Sequence, residues 1–132
     1  MGSVPAAEGG LVAGVDSSTQ STKVVVRRLD DGAVVAEGRA PHPATDPPRS
    51  EQDPNSWWAA LVAAFEGLAS VGAADAWTGP ADIVGISVSG QQHGFVVLDT
   101  DGAPIRPAKL WNDTESAAQA DRLVTELSLI HI

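Results

Sequence analysis

Three β-prone runs follow one another closely near the start of the chain and constrain its fold more than any other feature. They cover residues 11–15, 23–29 and 33–40. Short apolar or β-branched runs of this kind are typical of strands. The polar segment 17–22 separates the first two runs, and Asp30-Asp31-Gly32, a hairpin turn signal, separates the second from the third. The pattern therefore predicts a three-strand antiparallel meander.

A helix and another strand are predicted to follow the meander. Residues 41–52 hold four prolines and predict an extended loop. Asp53 is expected to cap a helix that begins at Pro54, runs to about Ser70 and carries apolar side chains at helical spacing. Residues 83–88 form another apolar run, which indicates a buried strand. This order predicts an α/β fold built on a mixed sheet with a helical crossover.

Shorter elements are predicted nearer the C-terminus. Residues 95–98 and 107–111 are expected to form short strands. Thr114 is expected to cap a polar helix that runs to about Glu126. At the other end of the chain, residues 1–10 are mostly small and are expected to form a flexible lead-in.

Composition narrows the classes of protein to which the chain can belong. The formal net charge is −9, from 17 acidic and 8 basic residues, which argues against a nucleic-acid partner. The absence of cysteine excludes disulfides and thiolate chemistry and fits a reducing compartment. The longest apolar run, residues 57–65, is too short to span a membrane, and the N-terminus lacks a signal-peptide pattern. A cytoplasmic protein without a membrane partner is expected.

The first polar motif lies between the first two predicted strands and reads Asp16-Ser17-Ser18-Thr19-Gln20-Ser21-Thr22-Lys23. A tight polar hairpin can turn several N–H groups and hydroxyls toward a phosphate. Asp16, at the strand end, could hold Mg²⁺, and Lys23 adds positive charge. The alternative is an ordinary Ser/Thr-rich turn with no ligand. The motif is not a Walker A loop, which needs a glycine-rich turn from strand to helix.

The second and third motifs also follow apolar runs. Ser89-Gly90-Gln91-Gln92-His93-Gly94 offers amides, an imidazole and glycines, which suit a ligand with many hydroxyls at the end of a sheet strand. A purely structural histidine is the alternative. Leu110-Trp111-Asn112-Asp113 could cradle a sugar against the Trp111 face. The alternative is a core tryptophan followed by a helix-capping Asn-Asp pair.

Taken in this order, and together with Ser50-Glu51-Gln52-Asp53-Pro54 before Trp57-Trp58, the motifs resemble the N-terminal signatures of the FGGY carbohydrate kinases, on the xylulokinase branch. The resemblance spans residues 11–126 and implies part of the N-terminal domain of an actin-like, ribonuclease H-like ATPase fold. There are two departures: Ser18 stands where the family usually has glycine, and Gln92 stands where it often has methionine.

The resemblance implies roles for individual residues. Asp16 corresponds to an acidic residue near Mg²⁺ and the transferred phosphoryl group. Thr19, with its neighbours Ser18 and Gln20, corresponds to the loop that contacts the phosphates of ATP, and Lys23 is a further candidate for this contact through its positive charge. Ketose contacts are implied for four residues, with the weaker case for the last two: Gln92, His93, Trp111 and Asp113.

The implied activity is phosphorylation of D-xylulose at its 5-hydroxyl by Mg-ATP in a longer parent enzyme. The resemblance leaves open whether that enzyme is a homodimer. The catalytic base and the adenine lobe are expected beyond residue 132, so this chain alone is expected to be inactive. A kinase for another sugar, such as ribulose, and a non-catalytic actin-like nucleotide-binding module are the alternatives. A ribonuclease H-type nuclease is disfavoured, since it would need carboxylates clustered on several strands.

The last six residues, Leu127-Ser128-Leu129-Ile130-His131-Ile132, fit neither the preceding polar helix nor the family. They are also the in-frame translation of a transposase adapter sequence, CTG TCT CTT ATA CAC ATC. Residues 127–132 are therefore expected to be a non-native tail.

Overall fold

A computed structural model describes residues 10–71, 77 and 79–127. Most of the predicted lead-in (1–10) and of the predicted tail (127–132) lies outside these residues. The described residues belong to two compact units, one formed by 10–43 and 55–91 and the other by 44–54 and 92–127.

The described residues form seven strands, two α-helices and a short 3-10 helix at Pro80–Asp82. In chain order the strands and helices are β1 Leu11–Ser17, β2 Ser21–Arg28, β3 Val34–Pro41, β4 Glu51–Gln52, α1 Pro54–Glu66, β5 Ala69–Ser70, β6 Ile83–Gly90, β7 Ala108–Lys109 and α2 Ala117–Leu127.

The first unit is built on a five-stranded sheet of order β5-β3-β2-β1-β6. The strands β1, β2 and β3 form the predicted antiparallel meander, and β6 joins β1 in parallel. The Asp30-Asp31-Gly32 turn closes the second hairpin, with Gly32 in a left-handed conformation at φ 72°. The predicted meander and mixed sheet are confirmed. The prediction that residues 83–88 are a buried strand is wrong, because β6 lies at the edge of the sheet and Val84, Ile86 and Val88 are exposed.

The core of this unit lies between the sheet and α1. One leucine and otherwise only alanines and valines fill it: Leu11, Ala13, Val15, Val24, Val26, Val35, Ala36, Ala40, Ala60 and Ala64. Alternate residues of β1 and β2 point into this core, because successive side chains of a strand face opposite sides of a sheet. The other face of β1 and β2 consequently carries Asp16, Lys23 and Arg27, all exposed to solvent.

Helix α1 begins at Pro54 as predicted but ends at Glu66, four residues before the predicted end. Gly67 follows, and glycine is a poor helix former. Ala69 and Ser70 leave the helical path and pair with Glu37 and Ala36 of β3 as strand β5. The backbone hydrogen bonds of a sheet edge therefore replace the last predicted turn of the helix.

The second unit contains the β4–β7 pair and α2. The predicted 107–111 strand is confirmed only at its centre, as β7. The predicted strand at 95–98 is wrong: Phe95 and Leu98 make isolated bridges, to Lys109 and to Pro104. A ladder cannot extend here because Pro104 and Pro107 have no N–H to donate.

Helix α2 begins at Ala117, so Thr114 does not cap it as predicted. Instead the Thr114 carbonyl accepts the Ala117 amide at 3.1 Å in a turn that precedes the helix. The α2 side chains are exposed along its length. Across the described ranges, no helix combines the length and the apolar character that a membrane span would require.

Candidate functional site

Strands β1 and β6 end side by side at one edge of the first unit's sheet. They run in parallel, with Asp16 opposite Ser89 and Ser17 opposite Gly90. The Gln91 amide then donates to the Ser17 carbonyl at 3.0 Å. Polar residues that follow two parallel strands are thus brought to the same edge, where ligands of open α/β sheets usually bind.

The hairpin between β1 and β2 reaches across this edge. Its Thr19 hydroxyl donates to the Gln91 side-chain oxygen at 3.1 Å, which joins the first polar motif to the start of the second. The Ser18 amide and hydroxyl both donate to the Ser21 carbonyl, at 3.0 and 3.1 Å. Ser18 adopts an ordinary negative φ, so the hairpin does not require the conformational freedom of glycine at that position.

A shallow groove of about 360 Å³ lies on the solvent face of the sheet beside this hairpin. Asp16, Lys23, Ser87 and Ser89 line it. The Lys23 ammonium lies 3.3 Å from Glu37, a pair in which both side chains are about half exposed. An exposed ion pair of this kind contributes little and can exchange its partner. Lys23 therefore remains able to turn toward an anion in the groove.

The oxygen donors of this groove fit Mg²⁺ of the kind that accompanies nucleotide phosphates. Asp16 offers one exposed carboxylate, and Ser89, its partner in the neighbouring strand, offers a hydroxyl. Among the described residues, no group of three His, Asp or Glu side chains could enclose a metal. Mg²⁺ typically takes one or two carboxylates and completes its shell with water and phosphate oxygens.

The Gln92-His93-Gly94 turn belongs to the second unit. His93 is the one non-glycine residue with a positive φ, 59°, within the described ranges, and its side chain is exposed. A left-handed conformation costs a residue with a Cβ roughly 1–2 kcal/mol. Such a cost is common where a site needs a particular side chain at a particular point of a turn.

Trp111 and Asp113 also lie in the second unit, directly after β7. Trp111 is 60% exposed, so it is not the core tryptophan of the structural alternative. Asp113 differs, because its side chain is 5% exposed and its carboxylate is already engaged. Its Oδ2 accepts the Ser50 amide at 2.8 Å and the Lys109 ammonium at 3.0 Å, and its Oδ1 accepts the Glu115 amide at 3.3 Å.

The Asp113 carboxylate is part of an ion cluster that sequence reasoning missed. Lys109 contacts Glu51, Asp113 and Glu115, and Glu115 also accepts a hydrogen bond from Arg49 at 2.9 Å. Hydrogen bonds from Lys109 and Arg49 lower the pKa of Glu115, and those from Lys109 to Glu115 and Asp113 raise the pKa of the lysine. The charges lie up to 66 residues apart in the chain, so no local spacing could reveal the cluster.

For Asp113, two opposing effects set the pKa. Burial raises it, because a carboxylate loses hydration in the protein. Hydrogen bonds from the Ser50 amide, the Lys109 ammonium and the Glu115 amide outweigh that effect and hold the pKa of Asp113 below its usual value. The carboxylate is therefore ionised, and it ties the segment before α1 to the loop after β7.

Sequence reasoning also missed His42, which the proline-rich pattern placed in a plain loop. The imidazole is buried, and its Nε2 lies 2.8 Å from the hydroxyl of Thr22, which is fully buried in β2. The local signal was a lone histidine between Pro41 and Pro43, which is too common to predict a buried contact.

The chain is similar to known proteins over nearly its whole length. Residues 11–131 match the "FGGY family of carbohydrate kinases, N-terminal domain". The chain is 51% identical over 122 residues to a xylulose kinase of Streptomyces coelicolor and 50% identical over 122 residues to one of Streptomyces rubiginosus. Each alignment covers 92% of this chain and 24% of the relative, so the chain spans about a quarter of the length of these relatives.

Among solved structures, the xylulose kinase of Bifidobacterium adolescentis superimposes with a TM-score of 0.71 at 44% identity. The match covers 89% of this chain and 21% of that structure. The mixed, unclosed sheet and these neighbours confirm the predicted fold class, part of an actin-like ATPase domain. The chain belongs to the FGGY family of carbohydrate kinases.

Proposed function

We propose that the protein to which this chain belongs phosphorylates D-xylulose at its 5-hydroxyl with ATP and Mg²⁺, in the cytoplasm. The observation that carries the proposal is the junction of the β1–β2 hairpin with the end of β6, through Thr19 and Gln91. It brings two polar motifs of the family to one sheet edge. Similarity to xylulose kinases at 50–51% identity supports the choice of substrate.

In this proposal the hairpin receives the phosphates of ATP. Ser18, Thr19 and Gln20 present amides and side-chain dipoles, and Lys23 supplies a cation beside the Asp16 groove. Fixed N–H and O–H groups stabilise phosphate because they need no reorganisation when charge builds up on it. Asp16, with the Ser89 hydroxyl, would hold Mg²⁺, which supplies positive charge for the phosphate oxygens when bound.

The ketose is proposed to contact Gln92 and His93, with the exposed face of Trp111 against its carbon chain. An imidazole and an amide can each donate and accept, so they can match vicinal hydroxyls. Leaving a buried polar group unmatched costs about 1–3 kcal/mol, which gives such a site its selectivity. Asp113 is proposed to act through its hold on the Trp111 loop, because its carboxylate already accepts three protein donors.

Catalysis is proposed to require the complete kinase. Phosphoryl transfer depends on positioning and charge stabilisation by groups on both sides of the reacting atoms. This chain spans about a quarter of the length of its xylulose kinase relatives. We therefore expect the 132-residue chain alone to show no sugar-dependent ATP turnover.

The test is steady-state kinetics of the complete kinase with D-xylulose, D-ribulose, glycerol and gluconate at saturating Mg-ATP. The proposal expects the highest kcat/KM for D-xylulose. A higher kcat/KM for one of the other three would assign a different substrate within the family. ATP binding without turnover of any of them would instead favour a nucleotide-binding module. ATP turnover by the 132-residue chain would contradict the requirement for the complete kinase.

A further inference from the structure

His42 lies directly behind the hairpin that the proposed function assigns to phosphate. Its backbone amide donates to the Gln20 carbonyl at 2.8 Å. Its imidazole Nε2 lies 2.8 Å from the Thr22 hydroxyl. Gln20 is the last residue before β2, and Thr22 is the second residue within it. His42 therefore holds the start of the second strand of the hairpin at two points, through its backbone amide and through its ring.

The hydrogen-bond geometry indicates which ring nitrogen carries the proton. The Nδ1 atom is buried and has no hydrogen-bond partner among the described residues, and a buried N–H without an acceptor is rarer and costlier than a bare ring nitrogen. The proton is therefore assigned to Nε2, which donates to the Thr22 oxygen at 2.8 Å. The one hydrogen of the Thr22 hydroxyl is then available to the Ser17 oxygen, 3.4 Å away.

With this tautomer, the donors and acceptors of the hydrogen bonds from His42 through Thr22 to Ser17 are defined. Nε2–H of His42 donates to Thr22, and Thr22 donates to Ser17. The hydrogen of the Ser17 hydroxyl is then left for a further acceptor. Ser17 is the last residue of β1, half-buried, at the edge where β1 and β6 end together. The opposite tautomer would turn the Thr22 hydrogen toward the ring and leave the Ser17 oxygen without this donor.

We propose that His42 is a positioning residue that holds the Ser17–Thr22 hairpin in the shape that receives phosphate. The inference rests on the proposed function of this hairpin. His42 is 8% exposed and acts through Thr22 rather than by touching the nucleotide. Because Thr22 is fully buried, a replacement that cannot donate leaves its oxygen unmatched inside the protein.

The kinetic test compares two substitutions in the complete kinase. His42→Leu removes the donor at similar size, whereas His42→Gln can place an amide N–H near the Nε2 position. We expect His42→Leu to raise KM for ATP by about five- to tenfold, the factor that one neutral hydrogen bond is worth, with KM for the ketose changed less than about twofold. His42→Gln should recover most of the loss.

Val35→Ala is the control, since Val35 is also buried but lies in β3 beside the Val26–Arg27 end of β2, remote from the hairpin. It should destabilise the fold without changing KM for ATP. An unchanged KM for ATP in His42→Leu, or an equal rise in the KM of both substrates, would overturn the positioning role. So would the same rise in KM for ATP in Val35→Ala, because general destabilisation would then explain it.

A second measurement needs no substitution and no kinase activity. Nitrogen-15 NMR of the imidazoles in the 132-residue chain reports which nitrogen of His42 is protonated. The inference expects Nε2–H with a bare Nδ1, and an Nδ1–H tautomer would overturn it. If the complete kinase phosphorylates no sugar, the proposed function fails, while this spectrum still decides whether His42 donates to Thr22.

Discussion

The Thr19 hydroxyl donates to the Gln91 side chain at 3.1 Å, although 72 residues separate the two in the chain. The contact spans the ends of two parallel strands, β1 and β6, and links two polar motifs that sequence patterns could only treat one by one. It fixes the hairpin against the strand that precedes the Gln92-His93 turn.

Thr19→Val tests what this contact contributes, because valine matches threonine in shape and lacks the hydroxyl. We expect the free energy of unfolding of the chain to fall by about 0.5–1.5 kcal/mol, the net worth of one hydrogen bond. Urea denaturation at pH 7 measures the change. Thr100→Val, in an exposed turn of the second unit, is the control and should change stability by less than about 0.5 kcal/mol. Equal effects at the two positions would contradict a role for the Thr19 contact.

Gly38 is expected to be indispensable for the packing of α1 on the sheet. A Cβ at this position would lie 2.0 Å from the Ala64 carbonyl oxygen, a backbone atom that can move only with the helix. Gly38→Ala should therefore destabilise the chain by about 1–3 kcal/mol or more. At Gly14, in the same sheet, the nearest atom to an added Cβ is 4.0 Å away. Urea midpoints should fall for Gly38→Ala and barely move for Gly14→Ala, and similar midpoints would refute the close approach.

The sequence predicted most of the first unit because its signals are local. Alternating apolar residues, the Asp30-Asp31-Gly32 turn and Pro54 each act within a few residues, and the elements they predict are present in the structure. The errors arose where distant residues decide the outcome. Ala69 and Ser70 leave the helical path for pairing with β3. Phe95 and Leu98 make only isolated bridges, because the segment that faces them, 104–109, contains Pro104 and Pro107.

In the candidate site, too, the features set by local sequence could be predicted and those set by distant residues could not. The family motifs could be read directly from the sequence, including Asp16, Thr19 and Gln92-His93. The contacts that hold these motifs in place could not be predicted from the sequence. The Lys109 cluster and the His42–Thr22 pair join residues that are adjacent only after folding. No pattern of spacing distinguishes a histidine that lies in a loop from one that is buried against a threonine hydroxyl.

The lowered pKa of Asp113 predicts a loss of stability in acid. A carboxyl group whose pKa is lower in the folded state stabilises the fold above its unfolded pKa, close to the usual 3.8. That stabilisation is lost as the pH falls below this value, because protons bind the unfolded chain first. Asp113→Asn should lower the urea midpoint at pH 7 and flatten its fall between pH 4 and 2. A parallel fall in both proteins would show that Asp113 does not contribute to the acid transition.

His93 is expected to lower the stability of the fold and to contribute to ketose binding. Since its φ of 59° suits glycine better than any residue with a Cβ, His93→Gly should stabilise the chain by up to about 1 kcal/mol in thermal unfolding. In the complete kinase the same substitution should raise KM for D-xylulose at least tenfold, because the imidazole is lost from the proposed ketose site. His93→Ala separates the two effects, since it removes the ring but keeps the Cβ. It should show the same kinetic loss without the gain in stability, and retained ketose affinity in both variants would remove His93 from the proposed site.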